Sequence, residues 1–453
     1  MVKSMTEGNP LKLILQFALP LLAGNVLQQT YNFIDAAIVG KCLGKEALAG
    51  VGASSSVQFL IIGFCIGIAC GFAIPVAQSF GACKYKQMRE YIYHSLVLTA
   101  VIATVLTIVC ALLCPQILEI LSTPSDIYDY AYAYLFIIFL GIPFTLLYNL
   151  LAGILRAVGD SITPFIFLVV SAGLNIFLDI LFIIVFDWRY IGAATATIAS
   201  QAISGICCMV LIILKFDILK PRREETVFRW RVAGKLLMMG VPMGLQYSVT
   251  AIGSMVVQSA NNGLGSIYVS GFTAAMRIKQ FAMCPFDAIA TGVSNFCSQN
   301  LGAHKIARIK KGLRQGVFIG VCYGIFIGIV VIFGGRLLSC IFIDVNEVEV
   351  LDASAKYLRC LGYFYWAIGI LNSCRMTVQG LGYSVIAIFS GAVEMVARIF
   401  VTIVFVPAYG FTAICFADQT AWICAVIYIV IVLMICLRKV EKRIKKSEME
   451  IAK

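Results

Sequence analysis

Apolar stretches of about 20 residues, separated by short polar breaks, recur along the whole chain. Residues 92–113, 165–186, 317–333 and 421–437 are clear instances. At a rise of about 1.5 Å per residue, a helix of roughly 20 residues crosses the ~30 Å hydrocarbon core of a bilayer. Reading the pattern end to end predicts about twelve such spans. They begin near Leu13, Leu48, Tyr91, Ala131, Pro164, Ile191, Leu236, Tyr268, Gly312, Ala355, Val385 and Phe411. The expected fold class is therefore all-α, a polytopic membrane protein. The first apolar run is too long for a cleaved leader and lacks a small-residue cleavage site, so it is expected to remain as the first span.

Composition agrees with the pattern. The chain is 61% hydrophobic and 13% charged, with a mean hydropathy of +0.94, outside the range of water-soluble domains. The net charge of +12 changes meaning once the spans sort the loops into two alternating sets. One set holds Lys3, Lys12, Lys84, Lys86, Arg89, Arg156, the cluster from Lys215 to Lys235, Lys305 to Arg314, Arg375 and the tail from Arg438. The other holds only Lys41, Lys45, Arg189, Arg336, Lys356 and Arg359. An excess of Lys and Arg marks cytoplasmic loops, so both termini are expected inside, in agreement with an even number of spans. Basic charge in this arrangement orients a membrane protein, and no nucleic-acid partner is expected. The 17 cysteines show no C-x-x-C and no zinc-caging spacing, and they read as small reduced residues of the spans. His94 and His304, both beside basic loops, provide no buried base or metal ligand set, so neither enzyme chemistry nor a cofactor is expected.

The chain also repeats itself. Gln78-Ser79-Phe80-Gly81-Ala82 returns as Gln299-Asn300-Leu301-Gly302-Ala303, Pro20 as Pro242, and Gly159-Asp160-Ser161 as Gly382-Tyr383-Ser384, at offsets drifting from 221 to 223. Each repeat carries about six spans, an even number. The halves are thus expected to share one orientation, related by a pseudo-two-fold axis along the membrane normal, with a cleft between two lobes. The expected organisation is a six-helix lobe over 1–214, a cytoplasmic linker over 215–234, a second six-helix lobe over 235–438, and a basic cytoplasmic tail over 439–453. The linker, with Pro221, Phe228, Trp230 and many charges, reads equally as a segment lying on anionic lipid and as a solvated loop.

Charged side chains at hydrocarbon depth cost about 2.5–3.5 kcal/mol and are functional candidates by default. Asp35 is the lone acid of the first span. In the fifth, Asn175 and Asp179 stand at i and i+4 on one helical face. In the sixth, Thr197 ends a small-residue stretch, residues 192–197, that permits close helix packing. From the rise of a helix, Asp35, Asp179 and Thr197 each lie about 7 to 11 Å from the outer boundary, with Asn175 one turn deeper. Four oxygen-bearing side chains at matching depth suit a proton or a small hard cation such as sodium.

Asp35, Pro20 before it, Asn175-x-x-x-Asp179, Thr197 and the duplicated Q-x-x-G-A together resemble the multidrug and toxic compound extrusion (MATE) family of transporters, over nearly the whole chain. The resemblance implies an antiporter of the bacterial cytoplasmic membrane that expels amphipathic, mainly cationic compounds against an inward flow of H+ or Na+. It implies that Asp35, Asn175, Asp179 and Thr197 form the cation-coupling site and that Pro20 is a helix hinge. Some branches use an acid in the seventh helix. None occurs here between Pro242 and Asn261, so coupling of that kind through the second half is not expected. The partners implied are small amphipathic cations and the lipid bilayer, with no obligatory protein partner.

The second half bears its own charges, Arg277, Lys279 and Asp287 in the eighth span and Glu394 and Arg398 in the eleventh. On the 223 offset Arg398 stands where the first half has Asn175, and Thr402 where it has Asp179. Glu394 and Arg398, at i and i+4, are expected to neutralise each other. Arg277 and Lys279 have no acid within a turn and are expected to face an aqueous cleft or to pair with carboxylates on other helices. With them Tyr31, Tyr148, Tyr247, Phe281 and Asp287 are the candidate substrate-cleft residues, the aromatics through cation–π contacts. Pro75, Pro143 and Pro285 mark kinks. The alternative function is a lipid-linked saccharide flippase of the same superfamily, which a cationic cleft would suit.

Overall fold

The computed structural model describes the backbone of residues 3–120, 123 and 127–451. The side chains of 36, 37, 39–56, 120, 189, 190, 447, 448, 450 and 451 lie outside the described residues, and with them Lys41, Lys45 and Arg189.

Among the described residues every regular element is helical. The series runs α1 (Pro10–Gly81), α2 (Tyr85–Leu112), α3 (Cys114–Ile120), α4 (Tyr128–Leu140), α5 (Ile142–Ala157), α6 (Ile162–Asp179) and α7 (Arg189–Lys215). It continues with α8 (Trp230–Asn262), α9 (Ser266–Gly302), α10 (Ile306–Ser339), α11 (Val348–Gly362), α12 (Tyr365–Gly380), α13 (Ser384–Tyr409) and α14 (Phe411–Ile451). Helix α1 holds two apolar stretches long enough to cross a membrane, Pro10–Asp35 and Val57–Gly81. Helices α4 and α5 are long and apolar enough to cross a membrane only as a pair, bent by 47° at their junction. Pro143 at the start of α5 accounts for that break, since it lacks the N–H that would continue the preceding helix. Pro285 and Pro242, by contrast, lie inside α9 and α8 without interrupting them. Counting α4–α5 and α11–α12 each as one pass, the series supplies six passes per repeat.

Two compact units emerge from the contacts. Unit 1 comprises Met1–Ser4 and Ala23–Gly244, and unit 2 comprises Met5–Leu22 and Leu245–Lys453. The boundaries fall inside α1 and α8, 222 residues apart, two residues beyond Pro20 and Pro242. Within unit 2, Trp422, Tyr357 and Tyr365 are fully buried, and Tyr365 stacks on Trp422 at 6.0 Å.

In each unit one helix packs closely through small residues. On α10 the buried face is Gly312, Gly316, Gly320, Gly324 and Gly328, spaced by four. Backbones approach closely there: a Cβ on Gly324 would stand 2.7 Å from the Trp366 Cα and the Tyr365 carbonyl oxygen. Without water to drive association, such contact is how helices adhere in lipid. In unit 1, Ser95, Thr99 and Ala103 of α2 are buried at the matching positions, 221 residues earlier.

The repeat extends to backbone hydrogen bonds. After α1, Cys83 N donates to Phe80 O at 3.0 Å and Lys84 N to Ser79 O at 3.0 Å. After α9, His304 N donates to Leu301 O at 3.1 Å and Lys305 N to Asn300 O at 2.9 Å. Cys83 and His304 both take the left-handed conformation, at φ 56° and 58°.

Residues 216–229 are docked on α2. Arg89 donates to Glu225 through Nε (2.7 Å) and Nη2 (2.6 Å), and Glu225 Oε2 also accepts from the Arg222 N–H at 2.8 Å. His94, fully buried, accepts from the Arg229 N–H at 2.8 Å through Nε2, which leaves Nδ1–H to donate to Glu90 O at 2.7 Å. Phe228 stacks on the same imidazole at 5.2 Å, while Trp230 is exposed. Glu225 and Arg229 are bonded to α2, while Arg222, Arg223 and Glu224 are exposed.

Candidate functional site

In unit 1, α6 carries Asn175 and Asp179 one turn apart, and immediately after Asp179 the helix widens into a π-helical turn, Ile180–Val185. Such turns loosen the backbone ladder and recur at functional positions. Helix α7 comes close because Ala193, Ala194 and Ala196 are fully buried. A Cβ on Gly192 would lie 3.1 Å from that of Phe182. This proximity lets Asn175 Nδ2 donate to Thr197 Oγ1 at 3.4 Å, while Thr197 Oγ1 donates to Ala193 O at 3.1 Å.

Asp179 and Asn175 are buried, and Asp35 is half-buried. The carboxyl groups of Asp35 and Asp179 act on each other electrostatically. Asp35 Oδ1, Asn175 Oδ1 and both carboxyl oxygens of Asp179 are shielded from solvent and accept no hydrogen bond from the protein. Two neighbouring carboxylates at hydrocarbon depth repel and are poorly solvated. A cation or a proton relieves both costs, and the oxygen-only donor set fits either.

Sequence reasoning passed over Tyr134 of α4. It is buried and a neighbour of Gln58, Asp35, Asp179 and Tyr31. One tyrosine among 19 carries no local signal, although its counterpart 223 residues on, Tyr357, is a tyrosine too. Tyr31 is half-buried and close to Gln28 and Asp35, and Tyr148 donates to Pro164 O at 3.2 Å. Pro20 lies inside α1. Tyr247 and Phe281 are half-buried and Arg277 is exposed in unit 2. Asp287 accepts from Asn372 Nδ2 at 3.1 Å.

Lys279 belongs to a buried ionic network in unit 2. Its Nζ lies 2.5 Å from Asp418 Oδ2 and 5.5 Å from the centre of the Trp422 ring. Asp418 Oδ1 accepts from Arg398 Nε at 2.8 Å, and Oδ2 accepts from Tyr357 OH at 2.8 Å. Glu394 lies 3.4 Å from Arg398 Nη2 and pairs more closely with Arg375, whose Nε donates to Ser390 Oγ at 3.0 Å. The expected Glu394–Arg398 pair exists, but as one link of a chain across α9, α12, α13 and α14. The hub, Asp418, is an intramembrane acid in the stretch FADQT, and the depth rule that singled out Asp35 would have found it.

Comparison with known proteins agrees with the repeat. The MatE family model matches twice, over residues 20–181 and 242–404. "Probable multidrug resistance protein YpnP" of Bacillus subtilis (strain 168) is 31% identical over 81% of each chain. "Multidrug export protein MepA" of Staphylococcus haemolyticus (strain JCSC1435) is 22% identical, covering 85% of this chain and 86% of the relative. Among solved structures, a MATE protein in complex with MaL6 superposes with a TM-score of 0.89 at 19% identity, over 97% of this chain and 98% of that one. With both repeats matched by the family model, the chain is a multi-pass membrane protein and belongs to the MATE family of transporters.

Proposed function

We propose that this protein is an antiporter that exports amphipathic, mainly cationic drugs or toxic compounds by alternating access, with H+ or Na+ bound at Asp35 and Asp179 and steadied by Asn175 and Thr197. The observation that carries the reading is the set of buried, unpartnered oxygens from α1 and α6. A coupling ion is the ligand that most reduces the cost of leaving them so. The relatives named for multidrug resistance and multidrug export support the substrate class. Ion occupancy changes how α1 packs beyond Pro20 and displaces drug. Ion release on the cytoplasmic side, where the basic loops and both termini belong in this scheme, resets the site.

Flipping of a lipid-linked anionic sugar gains little from the second unit. Of Arg277, Lys279 and Arg398, the cations that would recognise it, the last two are engaged by Asp418 and Glu394.

The test is ethidium transport by purified protein in liposomes under an imposed proton or sodium gradient, with Asp35→Asn and Asp179→Asn alongside. Drug movement should follow one gradient and fall at least tenfold in either variant. Full gradient-driven transport in both variants would refute the assignment.

A further inference from the structure

The repeat offset that matches turn to turn also aligns several residues of the two polar clusters. At an offset of 221, Gln58 of unit 1 corresponds to Lys279 of unit 2. At 223, Tyr134 corresponds to Tyr357, Asn175 to Arg398 and Thr197 to Thr420. In unit 1 the tyrosine neighbours the amide of Gln58 and two carboxyl groups. In unit 2 the tyrosine donates to the carboxylate of Asp418, which Lys279 and Arg398 hold at 2.5 and 2.8 Å. The acid has moved, from α1 and α6 in one unit to α14 in the other, while the tyrosine has stayed. Both amides have become cations.

We infer that unit 2 contains the counterpart of the unit 1 ion pocket with its cation built into the chain, so that the Lys279 ammonium and the Arg398 guanidinium fill it permanently and only unit 1 takes up a mobile ion. The chemistry of the two clusters is complementary. Unit 1 leaves carboxyl oxygens without donors. In unit 2, both oxygens of Asp418 are taken by donors of the same protein, and the buried groups left without a partner include Arg398 Nη1, Thr402 Oγ1 and the Gln419 amide, none of them a carboxyl oxygen. A pocket whose unpartnered carboxyl oxygens have been exchanged for an unpartnered guanidinium nitrogen repels a further cation. The inference rests on the assignment of the coupling ion to unit 1, and it adds a stoichiometry of one bound ion per chain.

Two substitutions install in unit 2 the residues that unit 1 carries, Lys279→Gln and Arg398→Asn. The measurement is the number of ions bound per full-length chain in detergent, read with sodium-22 and with a pH indicator for protons, on protein that elutes as a single species. The wild type should bind one equivalent of one of these ions, Asp35→Asn/Asp179→Asn none, and Lys279→Gln/Arg398→Asn two. Asp418→Asn provides the second arm should the double variant not fold, and its count should stay at one. A count that drops in Asp418→Asn, or a double variant that folds and still binds one ion, overturns the inference. A count that survives in both Asp35→Asn/Asp179→Asn and Asp418→Asn overturns the unit 1 assignment instead, and it supports the absence of a mobile ion from unit 2.

Discussion

Asp418→Asn removes the one charge that balances Lys279 and contributes to balancing Arg398, while keeping the side chain's size. The carboxylate accepts three hydrogen bonds, at 2.5 Å from Lys279, 2.8 Å from Arg398 and 2.8 Å from Tyr357. The Asp418 and Arg398 side chains are 7% and 4% exposed, so water does little to compensate. Removing one partner of a buried ion pair costs about 3–5 kcal/mol, chiefly because the other charge stays buried. For a folding unit of around 200 residues, each kcal/mol moves the unfolding midpoint by about 2–4 °C, so a loss of roughly 6–20 °C is expected. Lys279→Met takes away the opposite charge and should also destabilise. Combined, the two substitutions should cost less than their sum, with a coupling of at least about 2 kcal/mol in the double-mutant cycle. Thermal unfolding in detergent, followed by the fluorescence of the tryptophans including buried Trp422, reads all four proteins. Arg336–Asp352 is the control, at 3.6 Å with side chains 56% and 60% exposed. Such a pair contributes about 0–1 kcal/mol, so Asp352→Asn should move the midpoint by no more than a few degrees. An Asp418→Asn midpoint within about 2 °C of wild type would refute the claim that the network is a buried, mutually compensating unit.

Gly324→Val should sharply lower the yield and midpoint of folded protein, because its Cβ would meet Trp366 and Tyr365 backbone at 2.7 Å. Gly334→Ala on the same helix, with nothing within 4 Å of the new methyl, should stabilise by about 0.4–1 kcal/mol through the unfolded chain. A midpoint order other than Gly334→Ala, wild type, Gly324→Val would count against the close packing of α10. The bond from Arg89 holds the Glu225 carboxyl below the usual glutamate range, so its contribution to docking residues 216–229 is complete above about pH 4.3 and disappears as pH falls through the lowered value. Hydrogen exchange of 216–229, corrected for intrinsic rates, should stay flat from pH 7 to 5 and rise only in stronger acid, while Glu225→Gln should expose the segment at pH 7. Loss of protection already near pH 6 would show that another group controls docking.

Apolar periodicity and offset arithmetic made the helical fold and the duplication legible, because both are written in local sequence. Depth along a helix was enough to place Asp35, Asn175, Asp179 and Thr197 in one unit, and the Asn175–Thr197 bond and the Asp35–Asp179 interaction agree with that placement. Partner choice was not legible. Glu394 and Arg398 sit at the spacing that suggests a closed pair, yet Arg398 makes its shorter bond to Asp418, 20 residues away on the next helix. Lys279 finds its acid 139 residues away. Nothing within a turn of either residue encodes such distances. The glycine stripe of α10 could have been read, since five glycines at intervals of four stand in plain order from Gly312 to Gly328.

The ionic network also has an electrical consequence. Lys279, Arg375 and Arg398 stand with Glu394, Asp418 and the nearby Asp287, which acts on Arg375. In their ionised forms the three positive and three negative charges sum to zero. Moving one elementary charge through the full membrane potential involves about 2.3 kcal/mol per 100 mV. A neutral cluster displaced as a body through the same field exchanges almost no work with it. The network can therefore shift as a body within the bilayer with little penalty or assistance from the transmembrane voltage, despite the number of charges it contains.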